Sequence, residues 1–115
     1  MHTVRIERNG DVPLEFTGEE LGYATSESPG KHRWFEVTIY RTSTERYVVH
    51  GVGMSRLPGE DDRHWAVVCE NGHDVVAALY RVSDAGRYLP TTSGHALVDA
   101  AQRDPEIRDA YVLSV

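Results

Sequence analysis

The stretch from Trp34 to Met54 constrains the fold more than any other part of the chain. In Trp34-Phe35-Glu36-Val37-Thr38-Ile39-Tyr40, the residues Phe35, Val37 and Ile39 fall on one face of an extended strand, and Trp34, Glu36, Thr38 and Tyr40 fall on the other. The run from Arg46 to Val52 alternates in the same way, and the short polar Thr42-Ser43-Thr44-Glu45 joins the two. Together they predict an antiparallel hairpin with one apolar face and one mixed face. The mixed face, with its two large aromatics, needs a helix layer, a partner surface or solvent.

Two further hairpins are expected around this one. Val4 and Ile6 alternate with polar neighbours, Asn9-Gly10-Asp11 breaks the run, and Val12, Leu14 and Phe16 resume it. Pro13 lies on the opposite phase and fits an edge strand. Later, Trp65 to Cys69 and Val75 to Tyr80 flank Glu70-Asn71-Gly72-His73, and Asn-Gly between β-branched runs predicts a third hairpin. A helix starting at Asp74 is the alternative, since Ala77, Ala78 and Leu79 are helix formers, but Val75 and Val76 favour a strand. The expected strands are 3–8, 12–17, 34–41, 46–53, 64–70 and 74–82.

Near residue 90 the apolar period changes from two to about three and a half. Ser83-Asp84 can cap a short helix over 84–89 before Pro90, and Leu97, Val98 and Ala101 line a helix over 93–103. Asp104-Pro105-Glu106 supplies a cap, a first-turn proline and an acidic first turn for one more short helix through Ile107. The apolar, β-prone tail Tyr111 to Val115 is expected to return to the sheet as a closing strand. The reading is a single α+β domain, residues 1–115, with a twisted antiparallel sheet built from hairpins and one or two C-terminal helices on one face.

Composition limits the function. Eighteen acidic against twelve basic residues give a net charge of −6, and Lys31 is the one lysine, so a basic footprint for nucleic acid is not expected. The single cysteine, Cys69, cannot form an internal disulfide and suits a reducing compartment. No apolar run has membrane-spanning length and the N-terminus has no signal-peptide core, so the expectation is a cytosolic protein away from membranes.

The chemical groups do not assemble into a motif. Thr25 to Lys31 carries serines and a glycine but lacks the spaced glycines and Gly-Lys-Ser/Thr ending of a phosphate loop. Glu60-Asp61-Asp62 lacks calcium-loop spacing and is flanked by Arg56 and Arg63. His64, Cys69 and His73 are the best zinc candidates, yet they fall on different phases and number three where a structural site takes four. Ser93 with His95, Cys69 with His50, and the carboxylates Glu36 and Glu70 can each be paired on paper, but no nucleophile elbow accompanies them. Neither a catalytic centre, a metal nor a cofactor is therefore expected.

Leu14-Glu15-Phe16, Gly18, Leu21-Gly22, Trp34 through Thr42 and Arg46 through His50, followed by Tyr88-Leu89-Pro90, the helix around Ala96 to Ala101 and the tail from Glu106, cover most of the chain. In this order they resemble the EXLDI family of small actinobacterial proteins. It implies a proline-led helix and a closing strand. The naming Glu-x-Leu-Asp-Ile tail is replaced here by Asp109-Ala110-Tyr111-Val112-Leu113, and the N-terminal ribbon-helix segment of some members has no counterpart.

What remains is action through a surface. Trp34, Tyr40 and Trp65 are amphipathic aromatics of the kind enriched in interface cores, and they are expected to form a protein–protein interface, most simply of a homodimer. The alternative is a cup in which the curved sheet and the Ser93 to Ala101 helix enclose a small molecule, either for binding or for a hydrolase-like reaction in a sheet–helix cleft. An apolar patch on one sheet face would favour the interface. A concave pocket with convergent polar groups would favour the cup.

Overall fold

The computed structural model describes residues 1–111. The alternating runs form one five-stranded antiparallel sheet in chain order: β1 (His2–Arg8), β2 (Asp11–Thr25), β3 (Arg33–Thr42), β4 (Tyr47–Ser55) and β5 (Arg63–Cys69). Then come α1 (Gly72–Leu79), a small hairpin of β6 (Arg81–Ser83) and β7 (Gly86–Tyr88), α2 (Thr91–Ala101) and α3 (Pro105–Ala110). The α+β class with helices packed against a sheet is as expected. Among the described residues no helix is long and apolar enough to cross a membrane.

The sheet curls because β2 serves two partners. Its first half pairs with β1, Ile6 opposite Leu14, and its second with β3, Thr25 opposite Glu36, with a register slip between Glu20 and Gly22. Such a bulge bends and twists the strand that carries it. The Asn9-Gly10 turn is thereby brought to β5, where Asn9 N–H donates to the His64 carbonyl at 3.0 Å and the Asn9 side-chain oxygen accepts the His64 N–H at 2.5 Å.

Curling gives two cores. On the outer face, Val37, Ile39, Tyr47, Val49 and Cys69 meet Val75 and Leu79 of α1, Leu97 and Ala100 of α2, and Ile107 of α3. Each fully buried aliphatic side chain there contributes roughly 1.5–3 kcal/mol. Gly22 lets α2 lie directly on β2, since a β-carbon would stand 2.7 Å from the Ala100 nitrogen. Inside the curl, Ile6, Val48 and Ala66 pack with Val4, Leu14, Phe16 and Tyr40. The mixed face of β3 is therefore covered in part by the sheet's own first hairpin.

Two local expectations are corrected. Residues 74–82 do not add a strand to the main sheet: α1 runs to Leu79, and Arg81 and Val82 belong to the separate β6–β7 hairpin. Asn71 acts as the N-cap of α1, its side-chain oxygen accepting the Asp74 N–H at 2.9 Å, and Val75 and Leu79, four apart, point into the core. Gly72 suits this arrangement because a β-carbon would lie 2.8 Å from the Glu106 carbonyl oxygen. Nor is 84–89 helical: Gly86, at φ 109°, turns the chain into the β6–β7 hairpin. The helix expected over 93–103 is α2, and α3 follows Asp104 as its cap. Tyr111 closes α3, and the rest of the expected closing strand lies outside the described residues.

Candidate functional site

The three aromatics expected at an interface do not share one surface. Trp34 stands opposite Met54 and lies on the inner face, whereas Trp65 stands opposite Gly51, itself opposite Val37, and lies on the helix-covered face. Trp34 is only 7% exposed; its indole N–H donates to Glu36 at 2.9 Å and the Arg56 guanidinium sits 4.6 Å from its ring centre. Tyr40 packs edge-on against Phe16, with ring centres 5.3 Å apart. Burial pushes its phenol pKa up, with the charge of Glu20 adding to the effect.

Trp65 belongs to a cleft. Phe35, Val37 and Ile39 share a face of β3, but the helices stop short of its N-terminal end, so Val37 and Ile39 are buried while Phe35 stays 65% exposed. In the uncovered space, Trp65 lies against Gly51, where any β-carbon would overlap the indole. Glycine inside a strand commonly marks such a close approach. The Arg81 guanidinium stands over the indole, 4.9 Å from the ring centre, and its Nη1 donates to the carbonyls of Ala78 and Tyr80 at 3.0 Å. Arg81 thus ties the end of α1 to the wall of the cleft.

The opposite wall is the start of α2. Its N-cap is Pro90, which has no side-chain acceptor, and the first helical bond runs from Gly94 N–H to the Pro90 carbonyl. Among the described residues, the N–H groups of Thr91, Thr92 and Ser93 therefore have no acceptor. Ser93 is 4% exposed, and its hydroxyl makes no hydrogen bond within the described residues. Ser93 is one of the residues that line the cleft. The cleft measures about 460 Å³, within the range of small-molecule sites, and Tyr88 of β7 and Lys31 complete its rim.

Other hollows are chemically quieter. A groove of about 480 Å³ beside Trp34 holds Arg33 and Glu60, but these pair with each other at 2.9 and 2.5 Å and Ser55 also donates to Glu60. Inside the curl, His50 Nε2 and His64 Nδ1 lie 3.0 Å apart. Burial, followed by His64, lowers the His50 pKa to about 4, while Glu36 pulls it the other way. His50 is accordingly neutral at pH 7.

The remaining candidate pairings do not come together. Cys69 lies in the outer core, pushed up to a pKa of about 11 mainly by burial, whereas His50 and His64 face inward. His73 is exposed on α1, and no group of three or more His, Cys, Asp or Glu among the described residues is arranged around a metal. Glu70 is exposed and pairs with Arg46, at the far end of β5 from His64, which stands in register with Glu36 through Val52. His95 is exposed on α2 and Ser93 is buried, so these two do not form a nucleophile–base pair. The uncapped start of α2 escaped sequence reasoning, although a proline before Thr-Thr-Ser was a signal for it. No family model matches this chain, and no curated protein or solved structure matches it either.

Proposed function

We propose that the protein is a small-molecule-binding module whose site is the cleft between the outer sheet face and the start of α2. The observation that carries this reading is the convergence on one hollow of aromatic surface, from exposed Phe35 and half-buried Trp65, and polar groups without partners among the described residues, at Thr91 to Ser93. Ligand sites commonly combine an apolar lining with a few oriented polar groups in this way. Nothing around the cleft pairs a nucleophile with a base, so the reading is binding without catalysis. Self-association through Trp34, Tyr40 and Trp65 is the weaker reading, because the indole of Trp34 is spent inside the protomer and faces away from Trp65.

Amide and indole N–H shifts recorded while a fragment set of neutral, cationic and anionic ring compounds is added test the reading. Hits should move Gly51, the Trp65 indole, Thr92 and Ser93 together. A set with no member that moves them, or hits that map only elsewhere, would refute it.

A further inference from the structure

We infer that the ligand is a flat aromatic or heteroaromatic ring bearing one oxyanion, a carboxylate or a phosphate, with the oxyanion at the start of α2. The inference rests on the cleft being the binding site and adds the ligand's chemistry.

The polar end of the cleft is a set of donors without an acceptor. A helix leaves its first N–H groups unpaired, and a side chain at the N-cap ordinarily takes one of them. The other two α-helices among the described residues follow that rule: Asn71 accepts from Asp74 N–H ahead of α1, and Asp104 accepts from Ile107 N–H ahead of α3. Among the described residues only α2, at eleven residues the longest, begins on a residue whose side chain cannot accept. Its first turn contains no acidic side chain to meet the positive end of the helix dipole. A helix end alone would be satisfied by water. Here Ser93, buried and with a hydroxyl unpartnered among the described residues, lines the same cleft and can supply a further donor.

The charge around these donors has the matching sign. Arg81 and Lys31 line the cleft. Arg81 spends Nη1 on two backbone carbonyls, leaving Nε and Nη2 without protein acceptors among the described residues. Lys31 is held at the rim by its bond to the Ser26 carbonyl at 3.0 Å. Glu36 is the one acidic residue among those lining the cleft, and its carboxylate is on the inner face of the sheet, where it accepts from the Trp34 indole N–H.

The apolar end selects for a ring. Phe35 is 65% exposed and Tyr88 48% exposed, and both stand on the lining with Trp65. Aromatic side chains pair with flat rings in offset or edge-on contact. A ring of one or two cycles fits about 460 Å³, whereas a long chain or a nucleic-acid strand does not.

The test is a titration of the full chain with four probes: benzoate, phenyl phosphate, benzyl alcohol and inorganic phosphate, followed by the Thr92 and Ser93 amides and the Trp65 indole N–H. Benzoate or phenyl phosphate should bind about tenfold more tightly than both benzyl alcohol and inorganic phosphate, and the tighter of the two names the head group. Ser93→Ala and Arg81→Gln should each weaken the ring anion about fivefold more than they weaken benzyl alcohol, with the amide spectrum reporting a retained fold; an equal loss for both probes would remove that side chain from oxyanion recognition. If benzyl alcohol binds as well as the anions in this cleft, the ligand class is wrong and the cleft stands. If inorganic phosphate binds as well as phenyl phosphate, the ring is not recognised and the inference fails. If no probe moves these resonances, the inference fails, and the fragment titration decides separately whether the cleft binds anything.

Discussion

The Trp65 indole occupies the space that a side chain at Gly51, its cross-strand partner, would need. This pair sets the floor of the cleft. Gly51→Ala forces the indole off the sheet and away from Arg81, and overpacking of this kind costs about 1–3 kcal/mol. Urea unfolding should register that loss together with a change in native tryptophan fluorescence. An unchanged midpoint and spectrum would mean that Trp65 is not seated on Gly51.

A second cost should appear at Asp104, which is 2% exposed and accepts from the Tyr47 hydroxyl at 3.0 and 3.1 Å, from Arg41 at 2.9 Å and from the Ile107 N–H at 3.1 Å. Burial opposes its ionisation, but the Ile107 N–H, Arg41 and Tyr47 together outweigh burial and hold the pKa below the ordinary carboxylate value. A depressed folded value stabilises the fold above the unfolded pKa, near 3.9, and that stability is lost as pH falls through the folded value. Asp104→Asn should therefore cost roughly 2–4 kcal/mol at pH 7 and reduce the stability lost on acidification below about pH 4. Thermal unfolding of both proteins at pH 7 and pH 3 checks both statements, and equal stability at pH 7 would contradict the first.

His50 controls a different pH window. Its folded pKa is about 4, whereas in the unfolded chain it titrates near 6.5. The unfolded state thus binds more protons between these values, and stability present above pH 6.5 falls as pH is lowered through the interval. The groups facing His50 are His64, which disfavours its charge, and Glu36, which favours it. His50→Gln should remove on the order of 2 kcal/mol of the loss between pH 6.5 and 4.5. Urea midpoints at the two pH values give the difference directly. A variant as acid-sensitive as the parent would show that His50 is not buried neutral.

The sheet and α2 were legible in the sequence because alternation and helical spacing are local properties. What failed was local ambiguity at Asn71-Gly72. The same dipeptide that turns a hairpin can cap a helix, and the outcome depends on whether the Asn71 side chain reaches the Asp74 N–H. Asparagine followed three residues later by aspartate was the available signal. The separation of Trp34 from Trp65 was hidden for another reason. Which residues share a face across β3, β4 and β5 depends on strand register, and register follows from turn geometry that composition does not reveal. The cleft was half legible: the Ser93 helix was expected as one wall of a cup, but the exposure of Phe35 follows from where α2 begins.

The final prediction separates the backbone of α2 from its side chains. Proline is well suited to the first helical position, and Thr91 holds that place after a Pro90 whose φ of −58° and ψ of 146° already match what a following proline demands. Thr91→Pro should therefore keep α2 intact while deleting one of the three unpaired N–H donors. Thr91→Ala removes the hydroxyl and keeps the N–H. If a ring-borne oxyanion is held by the helix end, Thr91→Pro should weaken phenyl phosphate or benzoate by roughly tenfold, the loss of one charge-assisted bond, and Thr91→Ala by far less. Calorimetric titration of the two variants makes the comparison, and far-ultraviolet circular dichroism verifies the helix. Equal affinities in an intact helix would remove the backbone of α2 from the binding site and leave Arg81 and Ser93 as its polar contacts.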